Sequence, residues 1–165
     1  MQHENKSTYL QLRVSQSEKR MIQRQAKNAK MTVSQWVLAR IDPILRQEIQ
    51  KLCISIGLSS QPSYLLAELN DLLSRMQRPE FERVFADIMR LPKSEILQNQ
   101  IAAMIELTAH RLHAITPQWV CNIPPLTTPV FATKLKNLRL HLLLHSPPPF
   151  KKRNIFVDAS IGERI

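Results

Sequence analysis

The sequence predicts a mainly α-helical protein, with one short N-terminal β-strand, two following helices, a helical C-terminal region and a proline-punctuated tail. Three observations carry this reading. Glycine occurs only twice, at Gly57 and Gly162, against 11 prolines, so neither Gly-rich phosphate loops nor a turn-rich β fold can be built. Apolar residues recur at helical spacing over most of the 165 residues, the pattern of amphipathic helices. Residues 9–14 alone alternate with period two.

The N-terminal elements come first. Leu10, Leu12 and Val14 alternate with Tyr9, Gln11 and Arg13, as in a strand with one buried face. A lone strand leaves its backbone unpaired, and pairing with its own copy across a two-fold axis would satisfy it. Ser15 and Glu18 have the spacing of a capping box, and the helix they open is expected to run to about Asn28. Met21, Ile22, Ala26 and Ala29 form its apolar stripe, while Lys19, Arg20, Arg24 and Lys27 face outward. Thr32 and Gln35 give a second capping box, and Val33, Trp36, Val37 and Ile41 share a face before Asp42-Pro43 is expected to interrupt the helix. Such a unit is too small to bury a core alone.

Residues 9–41 on this pattern resemble the ribbon-helix-helix family, the class of the Met and Arc repressors and of many antitoxins. The resemblance implies a homodimer that reads double-stranded DNA with a two-stranded ribbon. It implies that Tyr9, Gln11 and Arg13 read bases, with Gln suited to adenine and Arg to guanine. Lys6, Lys30 and the helix-opening Thr32, Val33 and Ser34 would hold phosphates. Leu10, Leu12, Val14, Ile22, Trp36 and Val37 would form the dimer core. The family often has Gly in the interhelical turn, where this chain has Ala29-Lys30.

Charge agrees with a polyanion partner. The net charge is +10. Residues 1–46 carry nine Lys/Arg and three Asp/Glu, residues 47–115 seven and eight, and residues 116–165 seven and two. A near-neutral middle with basic ends favours nucleic acid at one end.

Beyond residues 1–42, a helical region is expected over 43–115. Pro43 would open a helix through Ile56, with Gly57 as its stop. A helix from Pro62 would face inward through Tyr64, Leu65, Leu69, Leu72, Leu73 and Met76. One from Pro79 would bury Phe81, Val84, Phe85, Ile88 and Met89. Ser94 would cap a longer one, with Leu97, Ile101, Met104, Ile105, Leu112 and Ile115 on one face. Residues 116–165 form a proline-rich connection, a helix from Pro129 with Phe131, Leu135, Leu138 and Leu142 in a stripe, an extended Pro147–Pro149 segment and a basic-apolar tail. Within that tail Phe150, Lys151, Lys152, Arg153, Ile155, Phe156 and Val157 are candidates to bind a partner or to dock back on the helices, the alternative being a nucleic-acid arm in which Lys151, Lys152 and Arg153 contact phosphates.

Chemistry beyond binding finds no support. Glu106, His110 and His113 share a helical face, as do His141 and His145, but neither set has the further ligands of a zinc site. No metal, cofactor or enzymatic activity is therefore expected. Cys53 and Cys121 are expected to be buried free thiols. No apolar run is long enough for a membrane span, and a cytoplasmic location is expected. The expected function is a sequence-specific transcriptional repressor acting as antitoxin of a toxin-antitoxin pair, its C-terminal region binding the toxin. The alternative is a plain repressor, or a plasmid-control or partition adaptor, with no toxin partner.

Overall fold

The computed structural model describes Gln11 and residues 13–158, with backbone alone over 38–43. The chain falls into two units, Met1–Ile41 and Asp42–Ile165.

In the first unit, α1 spans Gln16–Asn28. Its exit is built without glycine. The Met31 N–H donates to the Ala26 carbonyl and the Lys30 N–H to the Lys27 carbonyl, each at 3.0 Å, the paired bonds of a Schellman stop. Lys30 takes the left-handed position, with φ 53°. Helix α2 is assigned over Val33–Leu58, continuously through Pro43, so the expected break there does not occur. A proline removes one i→i−4 hydrogen bond, a small part of what a 26-residue helix makes.

The second unit is organised around α5, Glu95–Arg111, capped by Ser94. Ile101, Ala102, Ala103, Met104, Ile105 and Ala109 are all buried, so this helix is covered nearly all round, and its three alanines let neighbours approach closely. The later turns of α2 supply Ile49, Leu52, Cys53 and Ile56 to the same core, at the i, i+3, i+4, i+7 spacing of one helical face. Helix α3, Pro62–Arg75, adds Leu69 and Leu73. Helix α4, Arg78–Val84, adds Phe81 and Val84, and the Phe81 and Phe85 rings pack at 4.9 Å. Gly57 lies in the last turn of α2, not beyond it. A Cβ there would meet Pro92 Cβ at 3.0 Å, so glycine permits close packing of α2 on the 91–93 segment. Gln50 fixes that segment by exchanging two hydrogen bonds of 2.9 Å with the backbone of Arg90.

Beyond α5 the structure departs from the expected proline-rich connection and long helix. A short α6, Gln118–Cys121, turns Trp119 so that its Nε1 donates to the Phe85 carbonyl at 3.0 Å. Strand β1, Val130–Phe131, pairs in parallel with β2, Ile155–Phe156. Between them lie a 3₁₀ turn, Lys136–Leu138, helix α7, Arg139–His145, and helix α8, Pro148–Lys151. The stripe Phe131, Leu135, Leu138, Leu142 therefore does not form one helical face: Phe131 is in a strand and only Leu142 of the four is buried. Pro147 and Pro148 suit the opening of α8, because a fixed φ is already helical.

The tail is the largest correction. Phe150, Ile155 and Val157 belong to the core, and Phe156 is buried against Phe131 with ring centroids 4.9 Å apart. Of the expected roles, docking back on the helices is the one realised, and these apolar side chains are not available to a partner. Arg153 is buried and reaches α5 and α6: its guanidinium donates to Asn99 Oδ1 and the Ile123 carbonyl at 3.2 Å and to the Val120 carbonyl at 2.9 Å. It also pairs with Glu106 at 3.3 Å, while Lys152 approaches the other Glu106 oxygen at 2.9 Å. Lys151 donates to the Leu144 carbonyl at 2.7 Å, where a cation suits a helix C-terminus. The basic cluster thus holds the tail down.

Smaller corrections concern single residues at element ends. Tyr64, Ile88 and Ile115 are exposed, because each lies where its helix begins or after it has ended. Cys53 is buried as expected, whereas Cys121 is exposed at the end of α6. Among the described residues no helix is long and apolar enough to cross a membrane.

Candidate nucleic-acid interface

The candidate interface is assembled at two helix starts. Ser15 Oγ accepts from the Glu18 N–H at 3.3 Å, and Glu18 reaches back to the Ser15 N–H at 2.7 Å. Bonds from the Ser15 backbone and hydroxyl hold the Glu18 carboxyl below its ordinary pKa. This reciprocal cap sets where α1 begins. Gln11 and Arg13, just before it, are exposed and in no regular structure within the single chain. Tyr9, Lys6, Leu10 and Leu12 lie outside the described residues.

At the start of α2, Thr32 Oγ1 accepts from the Gln35 N–H at 3.2 Å and Gln35 Oε1 accepts from the Thr32 N–H at 3.1 Å. Helix geometry gives the amides of Val33 and Ser34 no carbonyl of their own helix to bond. Lys30, Thr32, Val33 and Ser34 are all exposed and contiguous around this turn. The left-handed Lys30 supplies what glycine commonly supplies, so the turn closes with a cation at its tip. On α1, Lys19, Arg20, Arg24 and Lys27 are exposed as well. The arrangement offers amides, hydroxyls and ammonium groups to an anion.

Four of the expected dimer-core residues lie among the described residues. Ile22, Trp36 and Val37 are half-buried, while Val14 is exposed together with Met21, Met31 and Val33.

Residues 4–43 match the family model NikA-like, Mobilization protein NikA. NikA is a ribbon-helix-helix protein, so the matched segment coincides with the strand, two helices and intervening turn read from the sequence. No curated protein and no solved structure matches the chain.

The histidine sets do not assemble a metal site. Glu106 is engaged by Arg153 and Lys152. His113 has left α5 with φ 50°, and the His141 and His145 rings stack 4.2 Å apart without a third ligand. Among the described residues no group of three potential ligands comes together. Sequence reading missed the Asn99–Glu106–Arg153 network. Its one available signal was an acid, Glu106, within the otherwise apolar run 101–107.

Proposed function

We propose that this protein is a sequence-specific double-stranded DNA-binding protein of plasmid mobilization, homodimeric through its N-terminal ribbon and without enzymatic activity. The observation that carries the reading is the coincidence of the family match at residues 4–43 with two capping boxes joined by a lysine-tipped turn. A ribbon places alternate side chains in the major groove, which gives Tyr9, Gln11 and Arg13 the base-reading role. Lys6, Lys30, Thr32, Val33 and Ser34 hold phosphates and set the register on the duplex. The same unit serves a repressor equally well, and binding DNA beside a promoter would repress it. The match to a mobilization family favours the plasmid-adaptor alternative. The antitoxin reading draws on the long helical region and the tail, and of the tail Phe150, Ile155 and Val157 are taken up by the chain's own core.

Selection from randomised duplexes tests the proposal. The wild-type dimer enriches a two-fold-related site, and its affinity falls steeply with salt, about 0.9 in log–log slope for each phosphate neutralised. The Q11A/R13A variant stays dimeric and loses the site preference, while Lys30→Ala weakens all duplexes alike and lowers the slope by about 2, one phosphate contact from each of the two copies. Unchanged site preference in Q11A/R13A overturns the base-reading assignment.

A further inference from the structure

We infer that the outer face of α7 and the turn before it docks an acidic, apolar helical segment of a protein partner. Leu140, Leu143 and Leu144 stand at i, i+3 and i+4 on α7 and are 66%, 42% and 64% exposed, whereas Leu142, on the opposite side of the same helix, is buried. Leu135 and Leu138 in the preceding turn are 64% and 46% exposed. Five exposed leucines within ten residues exceed the scatter of single apolar residues that any soluble surface carries. They are held in place from behind: Ser146 accepts from the Val157 N–H at 2.9 Å, and Arg139 sits 5.1 Å over the Phe131 ring.

Charge identifies the occupant. Residues 107–157 contain no Asp or Glu, although they include Lys134, Lys136, Arg139, Lys151, Lys152 and Arg153. Lys134, Lys136 and Arg139 are exposed beside the leucines. A second copy of this face would oppose cation to cation, which costs affinity. Nucleic acid finds the phosphate-binding charge here, but it would leave the five exposed leucines uncovered, and the exposed His141 and His145 rings stack on each other. A lipid surface is usually met with Trp or Phe among the apolar residues, and here every exposed apolar residue of the face is leucine. A helix with leucines at i, i+3 and i+4 and carboxylates alongside complements both features. This inference stands apart from DNA binding, which uses the other unit.

The test uses the full chain and a labelled helical peptide of leucines at that spacing with glutamates between, alongside a twin in which lysines replace the glutamates. The glutamate peptide binds, measured by fluorescence polarisation. Its affinity falls at least tenfold in L140S/L144S and in K134E/K136E, and the lysine twin does not bind wild type. Circular dichroism confirms that both surface variants stay folded. Equal binding of both peptides, or insensitivity to either variant, overturns the inference. So does finding that these variants abolish instead self-association in sedimentation, binding of phosphatidylglycerol vesicles, or duplex affinity.

Discussion

Residues 13–37 and residues 44–157 treat their apolar side chains in opposite ways. Among the described residues of the first unit, Ala26 alone is buried, and Val14, Met21, Met31 and Val33 are exposed. The second unit closes a core from α2 through β2, with Phe81, Phe85 and Phe150 essentially inaccessible. Both units nevertheless use the same local devices. Each has a helix with a serine N-cap, and each ends one in a Schellman turn with a left-handed non-glycine residue, Lys30 or His113. Local hydrogen bonding therefore shapes the first unit while tertiary burial stabilises the second. Full coverage of a Val or Met side chain is worth about 1.5–3 kcal/mol, and in the proposed homodimer the first unit gains it from another copy.

The sharpest way to separate the units is to break the buried ion pair. Glu106→Leu leaves the Arg153 guanidinium buried without its counter-charge, and we expect a loss of about 3–5 kcal/mol, read from denaturant unfolding. Lys152, with its side chain 64% exposed, should cost under about 1 kcal/mol when changed to Ala. At denaturant concentrations that unfold the second unit of Glu106→Leu, duplex binding should persist. Loss of both together would show the units to be one cooperative body.

A smaller effect comes from Cys53. Burial pushes its thiol up from 9.0 to about 11, so folding favours the neutral form. That contribution is complete below pH about 9 and fades as pH rises through about 11, by roughly 2–3 kcal/mol at 1.36 kcal/mol per unit. The wild-type thermal midpoint should therefore fall more steeply over that window than that of Cys53→Ala. Parallel pH profiles would show that Cys53 does not titrate from inside the core.

The smallest effect compares the two left-handed turns. Holding a residue with a Cβ in this conformation costs about 1–2 kcal/mol. Lys30→Gly and His113→Gly should each stabilise their unit by about 1 kcal/mol, less the entropy that glycine adds to the unfolded chain. Only Lys30→Gly should also weaken duplex binding. Equal duplex affinity would remove Lys30 from the phosphate contacts and leave it a purely structural residue.

What was legible in the sequence follows the same division. Both capping boxes, the extent of α1, the start of α3 at Pro62 and the Ser94 cap are local, and the residues that specify them lie within a few positions of one another. Pro43 misled because a breaker's cost is local while the helix through it is long. The region after residue 115 was misread for a different reason. Its strands pair across some 25 residues, and Arg153 finds Glu106 at a separation of 47, so no short window contains both partners. Leucines spaced for a helix from Phe131 to Leu142 became a strand, a turn and a short helix because Phe131 is held by Ile155 and Phe156. At the candidate interface, the caps and the exposed Lys30 were readable. The left-handed backbone that aims Lys30 was not, since glycine usually signals it.

The position of Phe150, Ile155 and Val157 inside the core also sets an order of events during synthesis. Residues 1–41 have left the ribosome long before these three are made, on the order of ten seconds earlier at ordinary elongation rates. In the proposed homodimer the first unit can find its copy while the second still lacks the side chains that fill its centre. Two growing chains on one message can thus be joined at their N-termini before either has closed its larger half, and the final β2 residues act as a latch set last.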